Sequence, residues 1–214
     1  MLGLTRACLA VLAECRNPAA AITKNHLITR DIDLLKELAA HEAAAVTISI
    51  TTLDADLARV MEPRASHPQK RLEAIGALAA AGIPVGVNVA PVVPGLTDHE
   101  IPAILEAAAK AGASTAGYVF MRLPHGVKNL FEAWLESHYP DRKNKVLHQI
   151  RESRNGNLYD SRFGKRGRGE GAFADNIVAL FALARRKYGL DRPRAPLNTT
   201  AFRRPRGPQL QLFD

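Results

Sequence analysis

Four short runs rich in β-branched residues alternate with helix-length segments, and this alternation constrains the chain more than any other feature. The runs are Ala20–Asn25, Val46–Thr51, Pro84–Pro91 and Thr115–Met121. Between them, Asp31–His41, Ser66–Gly82 and Thr97–Gly112 carry apolar residues at the spacing of one helix face. Strands separated by helices of that length need crossover connections, so the sheet is expected to be parallel. Ser66-His-Pro-Gln69 and Thr97-Asp-His-Glu100 both fit a capping box, a hydroxyl residue with Gln or Glu three places on. Gly82 and Gly112 stand where a helix ends in the left-handed conformation.

Alternation inside the strands adds a second expectation. Val46, Ile48 and Ile50 share one face, while Thr47, Ser49 and Thr51 share the other; Val85, Val87 and Val89 oppose Gly86, Asn88 and Ala90. A doubly wound parallel sheet is buried, and apolar, on both faces. One small, polar face suits a barrel or part-barrel that holds a polar ligand, with helices on the apolar side only. The other reading is that the hydroxyls merely satisfy carbonyls in a core. Sheets of this kind bind ligands beyond the carboxyl ends of their strands, here Lys24-Asn25, Thr51-Thr52, Ala90-Pro91 and Met121-Arg122. Lys24, closing an apolar strand, can neutralise a carboxylate or phosphate there, or can simply snorkel to solvent.

Length and composition bound the rest. With 214 residues, 47% apolar and 23% charged, the chain can build one globular body with a substantial core. No apolar run reaches the length of a membrane span, and the first residues lack the basic start of a signal peptide. Two cysteines rule out a disulfide framework and point to a reducing, cytoplasmic setting. Leu4, Cys8, Val11, Leu12 and Cys15 form one helical stripe, expected to pack on a sheet. Cys8 and Cys15 are then about 10 Å apart, too far for a disulfide, and are expected to be small buried hydrophobes. Neither their spacing nor the seven histidines make a zinc pattern.

The charge divides the chain. Residues 1–150 hold 15 Lys and Arg against 15 Asp and Glu, whereas residues 151–214 hold 14 against 6, the whole +8 of the chain. All twelve aromatic residues lie from Tyr118 onward. This organisation predicts a βα body over 1–125, a helical extension over 126–191, and an extended or disordered tail over 192–214. In the extension, Leu130–His138, Lys145–Arg154 and Phe173–Tyr188 read as helices. The Gly164–Gly171 loop either cradles phosphates through backbone N–H groups or is a solvated, flexible loop.

At the strand ends the sequence resembles a known family. Ile22-Thr-Lys-Asn25, Ser49-Ile-Thr-Thr52, Glu62-Pro-Arg64 and Ala90-Pro-Val-Val-Pro-Gly-Leu-Thr-Asp98, in that order, resemble the radical S-adenosylmethionine (SAM) superfamily, in its spore photoproduct lyase-like branch. Leu158-Tyr-Asp-Ser-Arg-Phe-Gly164, Leu197-Asn-Thr-Thr-Ala-Phe-Arg-Arg-Pro205 and Gln211-Leu-Phe213 look like the same branch. The resemblance implies a partial (βα)6 barrel, with SAM and a [4Fe-4S] cluster as cofactors. The family holds its cluster on a Cys-x3-Cys-x2-Cys triplet and cleaves SAM to a 5′-deoxyadenosyl radical.

No such triplet occurs in this sequence. Against the family pattern the chain begins at the second helix, so its strands are the third to sixth of the barrel, and metal ligands cannot be carried over. On the order of 100 upstream residues are then missing, at about 30 for each βα unit. The family's Thr-Lys lysine matches Lys24, which the resemblance places near the SAM carboxylate. Its fourth-strand serine matches Ser49, and the small residue ending its fifth strand matches Ala90, where backbone approaches the nucleoside. Thr51 and Asn88 face the same cavity by alternation, and Met121 and Arg122 end the last strand; Met121 completes the cofactor-binding set.

Two functions follow. In the first, the chain is the carboxyl-terminal, SAM-binding part of a radical SAM enzyme of the lyase-like group, not active alone, whose small-molecule or nucleic-acid substrate the sequence does not reveal. In the second, it is a non-catalytic module whose basic segment, residues 151–214, contacts nucleic acid weakly. The first also predicts that the isolated chain aggregates through an exposed strand edge.

Overall fold

The computed structural model describes residues 3–163 and 165–205. Its strands are β1 (Ala19–Thr23), β2 (Ala44–Ile50), β3 (Val85–Val92) and β4 (Thr115–Phe120), parallel and in the order β1-β2-β3-β4. Helix α1 (Leu4–Glu14) precedes the sheet, and a 3-10 turn (His26–Asp31) with α2 (Ile32–Ala39) joins β1 to β2. Helices α3 (Ala55–Met61) and α4 (Pro68–Ala80) join β2 to β3, and α5 (Ile101–Lys110) joins β3 to β4. Helices α6 (Val127–His138), α7 (Pro140–Glu152) and α8 (Ala172–Lys187) follow. The fold is the expected α/β one, four parallel strands with helices around them, as in a part-barrel.

The alternation read from the sequence sorts the two faces. Val46, Ile48, Ile50, Val85, Val87 and Val89 are buried against Leu35, Leu38, Ile75, Leu78, Ile104 and Leu105 from the helices. Each such side chain contributes about 1.5–3 kcal/mol by leaving water. Helix α8 joins this core through Ile177, Phe181 and Ala184, with the Phe181 ring 4.8 Å from that of Tyr118. On the other face the register aligns Ile22, Thr47, Gly86 and Thr115 in one row and Ser49, Asn88 and Gly117 in the next. Gly86 is needed in its row, because a Cβ there would run into the Thr115 hydroxyl. A second apolar cluster, built on Leu57, Val93, Leu96, Leu123, Phe131, Leu135, Val146 and Ile150, lies beyond the carboxyl ends of the strands.

Several expectations need correction. Helix α4 is capped by His67, whose Nδ1 accepts from the Gln69 N–H, because the Ser66 hydroxyl is occupied with Asn25 and His26. Thr97 does not cap with its side chain either; its Oγ1 accepts from the Val93 N–H, and Glu100 is drawn to Thr52 and Leu53. Gly82 and Gly112 do take positive φ, 74° and 106°. Helix α1 turns Leu9 and Ala13 inward and leaves Leu4, Cys8 and Val11 of the expected stripe exposed, while Leu12 packs partly buried against the core; Cys8 is exposed and Cys15 half-buried, so neither is a buried hydrophobe. Arg6, on the same face of α1 as Leu9 and Ala13, pairs with the buried Asp31 and with Asp33.

The basic segment is also tied in. Arg154 is 2% exposed and donates to the carbonyls of Met121, Lys165 and Arg166, its guanidinium 5.4 Å from the Phe120 ring centre. In the loop after it, the N–H groups of Lys165, Arg166, Arg168, Gly169 and Glu170 donate to chain carbonyls and so are taken up by the chain itself. The Lys165 and Arg166 carbonyls face Arg154 instead. From Asp191 the chain is extended and crosses the amino-terminal side of the sheet as a strap. Arg194 donates to Thr47, Asn198 binds the carbonyls of His41 and Glu42, and Arg203 binds those of Glu14 and Cys15. Gln211-Leu-Phe213 and Gly164 lie outside the described residues.

Candidate functional site

Polar side chains gather at the carboxyl ends of β1 and β2. Just past β1, the Lys24 carbonyl accepts from Ser66 N–H at 3.1 Å, the His26 N–H donates to Ser66 Oγ, and the Ser66 hydroxyl donates to Asn25 Oδ1. The segment between α3 and α4 is thereby held against the end of β1, and Glu62 comes with it. Lys24 Nζ forms an ion pair with Glu62 Oε1 and donates to Thr51 Oγ1 at 3.2 Å. The Thr51 hydroxyl lies 2.8 Å from both Glu62 Oε1 and the Ala90 carbonyl and gives its single proton to one of them. Arg71 donates to Glu62 Oε2 at 2.7 Å and to the Ser49 carbonyl at 3.1 Å.

The electrostatics follow from burial and count. Burial pushes the Glu62 carboxyl upward, but the Lys24 ammonium, the Thr51 hydroxyl and the Arg71 guanidinium outweigh it and hold the group below its ordinary value. Lys24 and Arg71 face the Glu62 carboxylate, and the Glu100 carboxylate accepts from Thr52 and Leu53 at the same end of the sheet, so cations and carboxylates there balance two against two. A depression of about 380 Å³, lined by Lys24, Asn25, Glu62, Pro63, Arg64 and Ala65, opens beside it.

The structure therefore brings together Lys24, Thr51 and the backbone of Ala90. Ser49 and Asn88 share a row on the same sheet face; Ser49 is buried, Asn88 partly so, and neither side chain bonds to another among the described residues. Met121 stands apart, packed in the second apolar cluster with only its backbone engaged, by Val92 and Arg154. Sequence reasoning missed Glu62, Arg71 and Glu100 as members of this end of the sheet. Glu62-Pro-Arg64 was a visible motif, but nothing in its spacing pointed to Lys24, and Arg71 sits at an ordinary helical position.

Comparison with known proteins bears on this geometry. Residues 5–108 match the sequence profile of the Radical SAM superfamily. An uncharacterised protein of Mycobacterium tuberculosis is 33% identical over 135 residues, covering 62% of this chain and 40% of that protein. One of Methanocaldococcus jannaschii is 28% identical over 126 residues, 59% of this chain and 46% of its own. A protein of Acidianus two-tailed virus is 40% identical over 72 residues, 34% of this chain and 23% of its own. The matched stretch is thus less than half the length of each of these relatives.

The superfamily in general implies SAM and an iron–sulfur cluster. The chain's residues do not fit the cluster. Cys8 and Cys15 lie on α1 and at its end, and among the described residues there is no group of three or more His, Cys, Asp or Glu that could hold a metal. For SAM the donor set fits in kind: the Lys24 ammonium, the Ser49 hydroxyl and the Asn88 amide suit a carboxylate, an ammonium and a ribose. No helix among the described residues is long and apolar enough to cross a membrane.

Proposed function

We propose that this chain supplies the SAM-binding half of a radical SAM-type barrel of the spore photoproduct lyase-like group, with the cluster ligands contributed by residues outside it. The observation that carries this reading is the joining of Lys24, Thr51 and the Ala90 carbonyl, from three neighbouring strands, into one hydrogen-bonded unit where βα sheets bind ligands. Lys24 takes the SAM carboxylate, the Ser49 hydroxyl and Asn88 amide orient polar groups of the cofactor, and the backbone at Ala90 meets the nucleoside. In this reading the chain binds and orients, and the radical chemistry belongs to the assembly that brings the cluster. The profile match over residues 5–108 supports it.

Equilibrium dialysis with labelled SAM tests the reading. The wild-type chain is expected to bind with a dissociation constant no weaker than about 1 mM, and Lys24→Met to lose at least about tenfold, the worth of a charged hydrogen bond. No binding by the wild type, or equal binding by both proteins, overturns it.

A further inference from the structure

Behind Lys24 lies a charge pair that the strands do not supply. Glu62 comes from the segment between α3 and α4, and Arg71 from the first turns of α4. The Arg71 side chain is 1% exposed and that of Glu62 11%, against 34% for Lys24, so Lys24 is the member of the three that reaches solvent. The Arg71 guanidinium is used along its edges: Nε donates to the Ser66 carbonyl, and the two terminal nitrogens donate to the Ser49 carbonyl and to Glu62 Oε2. It therefore ties three pieces of chain together: the exit of β2, the end of the α3–α4 segment, and α4. Glu62 turns its second oxygen to Lys24 and Thr51. A lysine stem alone spreads its ammonium over many rotamers, and each rotamer-rich side chain that a ligand must order weakens binding.

We infer that Glu62 and Arg71 are positioning residues, Arg71 locking Glu62 to the β2 exit and Glu62, together with the Thr51 hydroxyl oxygen, holding the Lys24 ammonium as a preset cation for an anionic oxygen of the ligand. The inference rests on the proposed SAM site for the ligand's identity alone; the preset cation itself is a property of the chain. Breaking a buried ion pair from one side leaves an uncompensated charge, whereas replacing both partners with apolar groups of similar size is often tolerated. The function of the pair can therefore be separated from its part in folding.

The experiment uses Glu62→Leu combined with Arg71→Met. Acetic anhydride labels lysine amines, and peptide mass spectrometry compares the rate at Lys24 with that at the exposed Lys128 in the same sample. Expected is a cooperative melt, lowered because the Ser49 and Ser66 carbonyls lose their donor, with the Lys24:Lys128 rate ratio raised at least about tenfold by loss of a charged anchor. An unchanged ratio in the folded double variant overturns the inference. Should that variant not fold, Glu62→Gln decides the matter: a raised ratio supports the inference and an unchanged one overturns it. SAM binding is read separately, so a chain that fails to bind SAM counts against the proposed function while the labelling still decides the role of the pair.

Discussion

The two edges of the sheet are built differently. Along β4, the Phe120 N–H donates to the Gly167 carbonyl, the Ala116 N–H donates to that of Leu190, and Thr115 bridges to Asp191. Arg154, buried beneath, holds the covering loop by its carbonyls. Along β1, the strand pairs with β2 alone among the described residues, and Ile22 is 69% exposed, with Leu4 and Leu27 exposed nearby. An uncovered strand edge is an invitation to pair with another strand. The chain thus uses its own carboxyl-terminal residues to finish one edge, while the edge next to Lys24 has no such cover among the described residues.

The largest effect is expected at the covered edge. Arg154→Met leaves three carbonyls without their donor, and a loss of about 3–5 kcal/mol is expected, measured by urea denaturation. Faster proteolysis at residues 165–168 would accompany it, and an unchanged midpoint would show that the edge is sealed without Arg154. Glu62→Gln at the strand ends should cost about 2–3 kcal/mol at neutral pH, because Arg71 stays buried without a counter-charge.

That second difference has a definite pH course. Glu62 titrates in the folded chain below its ordinary 4.5, so the stability it contributes is present above 4.5 and is lost as pH falls through its folded value. The gap between wild type and Glu62→Gln should therefore close in acid, as read from urea midpoints against pH. A gap constant from neutral pH into acid would mean that Glu62 is not the charged partner of Lys24 and Arg71.

Smaller effects separate the strap from the bare edge. Arg203→Ala removes one side-chain bond from the strap to the end of α1, and about 1 kcal/mol is expected by the same denaturation assay. Ile22→Lys on the bare edge should change stability by no more than about 0.5 kcal/mol. It should nevertheless reduce light scattering on concentration, since a charged edge resists pairing. A large destabilisation there would mean that the β1 edge is packed rather than open.

Much of this was legible in the sequence because local rules and the fold agree. The four runs, the polar face shared by Thr47, Ser49 and Asn88, and the glycine helix ends follow from periodicity and backbone sterics. Helix α3 was not expected: seven residues give too short a pattern, although Asp54 caps it by accepting from Asp56 and Leu57 N–H groups. The stripe on α1 misled because apolarity alone does not decide which face turns inward: Leu9 and Ala13 are buried beside Arg6, which pairs with Asp31, while Leu4, Cys8 and Val11 face out. The same limit applies to the site. Lys24, Thr51 and Ala90 were found through strand ends, a local property, whereas Glu62 lies 38 positions along the chain from Lys24, and Arg71 lies 22 from Ser49. Contacts of that kind leave no periodic trace.

Amide hydrogen exchange on the intact chain, recorded by NMR without and with SAM, probes both edges and the strand ends at once. Slow exchange is predicted along β4 and faster exchange at outward-facing amides of β1. SAM is predicted to slow exchange at Lys24–Asn25, Thr51–Thr52 and Ala90, with little change along the strap. Equal protection at both edges, together with strand ends that do not respond to SAM, would contradict a sheet sealed at β4 and open at β1 with the proposed SAM site at its strand ends.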